Sequence, residues 1–118
     1  MANEITLSVA LQVAKGSLNF GLTLQNLLAT MAGNAFTHKV ISVGTVKETL
    51  DLGDIATPGA VLLYNLDPTN YIDAGADADS PFIRVQPGRV ALFEAAGAVL
   101  SVKAHTAACL LEYVIVEA

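Results

Sequence analysis

The sequence has no tryptophan, one cysteine, and only six lysines and arginines in 118 residues. Each shortage excludes something. A lone Cys109 cannot close a disulfide within the chain, so covalent staples do not stand in for a core. Its place inside an apolar run predicts a buried structural thiol, compatible with a reducing cytoplasm. The basic residues Lys15, Lys39, Lys47, Arg84, Arg89 and Lys103 are scattered, and the net charge is −5. Phosphate-dominated binding needs a basic patch, so no nucleic-acid partner is expected. No uninterrupted apolar run approaches the ~20 residues of a membrane-spanning helix. The basic region, apolar block and cleavage site of a signal peptide are also missing from the first residues. No membrane partner is therefore expected. Charge of either sign is scarce, at 14% of residues against about 25% in typical soluble domains.

Apolar residues fill the gap, at 53% of the chain. A domain of this length hides about 65% of its unfolded surface, enough for one core. An apolar excess beyond that core points to a large protein interface, as in an obligate oligomer or assembly component.

The pattern is that of strands. Ile5, Leu7, Val9, Leu11 and Val13 alternate with Thr6, Ser8, Ala10, Gln12 and Ala14, the period of a strand with one buried face. Leu18, Phe20, Leu22 and Leu24 repeat it, and a turn at Lys15-Gly16-Ser17 can join the two runs as a hairpin. Asn26 to Asn34 reads equally as a short helix near residues 26–33 or as a continued strand. Phe36 to Val43 and Val46 to Leu52 read as strands parted by Gly44. From Pro58 onward, Pro-Gly pairs (Pro58-Gly59, Pro87-Gly88) punctuate short apolar runs: Ala60–Leu66, Tyr71–Ala74, Phe82–Gln86, Arg89–Glu94, Val99–Ala104 and Cys109–Glu117. The expected fold is all-β: a single jelly-roll-like β-sandwich of about eight antiparallel strands over residues 1–118. Residues 1–14 would be its N-terminal strand or an arm.

Chemistry-bearing groups are sparse. Asp73, Asp77 and Asp79 cluster in a polar stretch, but without calcium-loop spacing or a following bidentate glutamate, so a solvated turn is expected and no metal. His38 and His105 have no His or Cys neighbour at ligand spacing. His105 and Cys109 stand four residues apart, ~13 Å along a strand, too far for a nucleophile–base pair. No glycine-rich phosphate loop is present. The expectation is a chain without catalytic residues or cofactor. Tyr71, beside the Pro68 turn, has the best claim among the aromatics to exposure. Arg84 and Arg89 are candidate charged anchors at an interface, because arginine pairs bidentately with carboxylates.

Three stretches carry a resemblance: Thr57–Gly75 (TPGAVLLYNLDPTNYIDAG), Pro81–Phe93 (PFIRVQPGRVALF) and Ala104–Ala118 (AHTAACLLEYVIVEA). Together they resemble small β-sandwich structural proteins of tailed-bacteriophage virions, over about half the chain. The resemblance implies a non-enzymatic virion component, foremost a capsid decoration (cement) protein. Such a protein would be made in the host cytoplasm, form a homotrimer on the capsid surface and clamp neighbouring major capsid protein subunits. The expected interface residues are Ile5, Leu7 and Val9 on the N-terminal strand, with Tyr71, Arg84 and Arg89. Two other readings share the fold: a tail, tail-tip or fibre-attachment protein, and a carbohydrate-binding module using Tyr71 and the acidic loop.

Overall fold

Ten antiparallel strands and no helix form the described residues, 3–97 and 99–118, of the computed structural model. The chain divides into two compact units, one up to Ala32 and one from Gly33.

The first unit is a long hairpin of β1 (Ile5–Lys15) and β2 (Leu18–Ala29). The turn places Gly16 at φ +56°, a left-handed conformation in which a side chain is strained. Val9, Leu11 and Val13 lie opposite Leu24, Leu22 and Phe20. The register then shifts: between the Val9–Leu24 and Leu7–Leu27 pairs, β1 has one residue (Ser8) and β2 has two (Gln25 and Asn26). Asn26 takes up the extra residue at φ +57°. Without this bulge, Leu24 and Leu27, three apart, would face opposite sides; with it, both stay on one face. Of the two readings of this segment, the continued strand forms and the short helix near 26–33 does not. Its helix-like spacing is the trace of this bulge, and β2 runs through to Ala29. Of the segment 1–14, read as an N-terminal strand or an arm, residues 5–14 lie in β1, one strand of a two-stranded unit. At its base, the Asn3 N–H donates to Thr30 Oγ1 (3.3 Å) and the Met31 N–H to Glu4 Oε1 (3.0 Å).

The second unit holds β3 (Phe36–Val43), β4 (Glu48–Thr49), β5 (Pro58–Asn65), β6 (Ile72–Gly75), β7 (Ile83–Val85), β8 (Val90–Glu94), β9 (Ser101–Ala104) and β10 (Cys109–Glu117). They make two four-stranded sheets, ordered β3-β10-β5-β8 and β4-β9-β6-β7. The pairing is nested, first with last: β3 with β10, β4 with β9, β5 with β8, β6 with β7. A four-segment hairpin wound onto itself in this way gives the jelly-roll order, consistent with the β-sandwich expected from the sequence. Inward residues of both sheets, among them Val61, Leu63, Leu111, Tyr113 and Ile115 from one and Ile72, Ala74, Val85 and Val102 from the other, join one buried core. Tyr113 satisfies its hydroxyl by donating to the Asp51 carbonyl (2.9 Å).

The strand expected over Val46 to Leu52 shrinks to Glu48–Thr49. The chain turns inward there to bury Leu50, whose N–H donates to the Leu100 carbonyl (2.8 Å). Gly53, at φ +61°, completes the turn, and its N–H donates to Asp51 Oδ1.

Candidate interaction surfaces

The hairpin has one apolar face and one polar face. Ile5, Leu7, Val9, Leu11 and Val13 share the apolar face with Leu18, Phe20, Leu22, Leu24 and Leu27, by direct cross-strand pairing. Thr6, Ala10 and Gln12 lie opposite Leu28, Thr23 and Gly21 on the other. Ile5 and Leu7 are half-buried, while Val9 and the rest of the apolar row are exposed, Leu11 and Leu18 at 60%. Among the described residues, no third strand pairs with the hairpin. Contiguous exposed apolar surface of this extent is rare on monomeric soluble proteins.

The second unit is two-faced. In the sheet β3-β10-β5-β8, cross-strand rows run Val40–Glu112–Tyr64–Val90 and His38–Val114–Leu62–Leu92. These residues alternate with the core residues of the same strands, so they face outward. Phe36, Val40, Val90 and Leu110 are more than half exposed. One polar contact interrupts this face: His38 Nε2 lies 2.7 Å from Glu112 Oε2. The outward row of the other sheet is charged instead, with Asp73 paired across strands to Arg84 and Lys103. One sheet is made to meet water, and the other presents hydrocarbon.

Arg84 is engaged within its own chain. Its Nε donates to Asp73 Oδ1 (2.8 Å) and its Nη2 to Asp73 Oδ2 (3.2 Å), a bidentate pair that raises its pKa. The guanidinium carbon also lies 3.9 Å from the centre of the Tyr71 ring. The His105 ring stacks on Tyr71 at 4.3 Å, tilted by 13°. Two groups this close cannot share one ring face, so Tyr71 is sandwiched between Arg84 and His105 and is half-buried rather than exposed. Both ring faces that would stack on a sugar are covered. Arg89 is exposed and has no acidic partner among the described residues, which leaves it free as an anchor.

The expected acidic loop begins as strand, since Asp73 lies within β6. Its remaining acids are held by lysines: Lys47 Nζ sits 3.0 Å from Asp77 and 3.4 Å from Asp79, and Lys103 Nζ 3.0 Å from Asp79. The Asp79 N–H and Lys47 hold the Asp77 carboxyl below its ordinary value, and Lys103 does the same for Asp79. Ala78 is buried, its N–H donating to Ser101 Oγ (2.8 Å). The loop is fastened to the body by cations of its own chain. Among the described residues, no three His, Cys, Asp or Glu side chains gather as a metal-ligand set.

Cys109 is buried, and burial followed by the Asp67 charge pushes its thiol pKa up. Its sulfur faces the carbonyls of Asn70 (3.7 Å) and Ala107 (3.6 Å), while His105 is occupied by Tyr71. No helix among the described residues is long and apolar enough to cross a membrane.

Two polar residues that the sequence did not single out organise the unit. Asn65 is fully buried: its Nδ2 donates to the carbonyls of Asn70 (2.8 Å) and Val85 (3.0 Å), and its Oδ1 accepts from the Asp67 N–H (2.9 Å). The Glu117 carboxylate accepts from the N–H groups of Asn34 (3.0 Å) and Ala56 (3.1 Å). A Cβ at residue 33 would meet that carboxylate, which would have to shift. The signal for Asn65 lay in the N-L-D-P-T-N run, where Asn and Asp recur at side-chain–backbone turn spacing.

Comparisons with known protein families, with curated proteins and with solved structures found no match.

Proposed function

We propose that this chain is a non-enzymatic structural subunit of a tailed-phage particle, a decoration protein that joins its own copies and clamps neighbouring major capsid subunits. The observation that carries the reading is bivalence. Two separate apolar surfaces, the hairpin face and the outward face of β3-β10-β5-β8, stand on a chain short of charge. A bridge across a seam needs two such surfaces. Apolar burial of about 25 cal/mol per Å² on each side resists the outward force of packaged DNA. The jelly-roll order adds support by analogy alone, since viral capsid proteins are among its users and so are lectins. In this reading the hairpin serves self-association, and the apolar sheet with Arg89 at its margin meets the shell.

Copy number in purified particles tests the reading. Quantitative mass spectrometry against the major capsid protein is expected to give hundreds of copies per particle. A handful would place the chain in the tail and overturn the decoration role. Absence from particles would overturn the virion setting altogether.

A further inference from the structure

A two-stranded hairpin alone in water is marginally stable at best. This one holds eleven and twelve residues in its strands, with a bulge that keeps Leu24 and Leu27 on the same face. The register correction is worth encoding only if the whole length of that face is covered. From their exposures, the apolar residues of β1 and β2 offer on the order of 700 Å² per copy, close to the ~800 Å² per partner of a standard protein interface.

We infer that the cover is the same face of other copies of this chain, three hairpins closing into one six-stranded intermolecular barrel. Three observations select this occupant. The apolar face carries one charge, Lys15 at the tip opposite Leu18, and none from Ile5 to Val13 or from Phe20 to Leu27, so nothing along its length specifies a charged partner. Its composition is self-complementary, as closed homo-oligomers require. The two outer edges also match. With β1 running up and β2 down, the free edge of β2 meets the free edge of a neighbour's β1 antiparallel, and repetition about a three-fold axis closes the ring. Two hairpins stacked face to face would leave the flanks of their side chains wet and all four edges open. Six strands leave no edge, and a barrel this narrow is filled by its inward side chains. The polar face, with Thr6, Ser8, Gln12 and Thr23, then turns to water. The inference rests on the assembly reading above, not on its phage setting.

The test is the mass of the purified full chain, without any capsid, by light scattering and native mass spectrometry. The wild type is expected at three times the chain mass. Leu22→Lys, opposite Leu11 in the middle of the face, is expected to weaken association at least a hundredfold and give single chains. The adjacent Thr23→Lys, on the polar face, is expected to remain a trimer, and in both variants the tyrosine signal of the second unit should unfold as in the wild type. A wild-type monomer overturns self-association, a dimer overturns ring closure, and a Leu22→Lys trimer overturns the assigned face. None of these results bears on copy number in particles, so the two readings can fail separately.

Discussion

Replacing Asn65 with alanine tests how far one buried amide holds the second unit together. The change deletes three hydrogen bonds, to Asn70, Val85 and Asp67. Each contributes about 1 kcal/mol net, and a buried group left without a partner costs a further ~1–3 kcal/mol. The Asn65–Val85 bond is buried, whereas those to Asn70 and Asp67 are part-buried, where water can substitute. The expected loss is therefore about 4 kcal/mol, with a fall of ~20 °C in Tm at ~4–8 °C per kcal/mol. Tyr64, Tyr71 and Tyr113 all lie in the second unit, so urea unfolding followed by tyrosine fluorescence reports that unit alone. Asn65→Asp keeps the size but points carboxylate oxygens at two carbonyls, so its penalty should shrink as the pH falls and the group protonates. A loss below ~1 kcal/mol for Asn65→Ala, the range of an exposed turn residue, would refute the reasoning.

Two further outcomes follow from the same unit. The N–H groups of Ala56 and Asn34 lower the Glu117 pKa from its ordinary 4.5. The unfolded chain therefore binds the proton more readily, and this stability is present above about pH 4.5 and lost as pH falls through the folded value. Glu117→Gln should flatten the acid limb of stability in urea midpoints taken from pH 6 down to pH 3; an unchanged limb would count against the assignment. Cys109, buried with a raised pKa, should resist a thiol reagent in native buffer and react once in urea; fast native labelling would contradict its placement.

The legible parts of this fold were those governed by local alternation. Phe36–Val43 and Cys109–Glu117 form as strands with the bounds read from the sequence, and the residues of β1 divide between two faces as expected. Beyond Leu24 the alternation slips by one at Gln25-Asn26, and a slipped strand mimics helical spacing at Leu27, Leu28 and Met31. The apolar outer face was hidden for a related reason. In β5 and β10 both faces are largely hydrocarbon, as in Leu62-Leu63 and Leu110-Leu111, so periodicity cannot separate core from surface. The partners of Arg84 and Tyr71 depend on which strands lie side by side, and that ordering is non-local. Arg84 looked free because Asp73 is eleven residues away, yet β6 and β7 set the two directly opposite.

The nested pairing of the second unit also sets the order in which the molecule can form. β10 lies between β3 and β5, so the sheet has no centre until the last of its strands has left the ribosome. Such long-range closure takes milliseconds to seconds, whereas a hairpin zips in ~1–10 μs. The first unit can therefore be complete while the second is still an open chain. Nascent chains on one messenger would then present hairpins, each marginal alone, beside unfinished bodies, so the association proposed above would begin before the bodies fold.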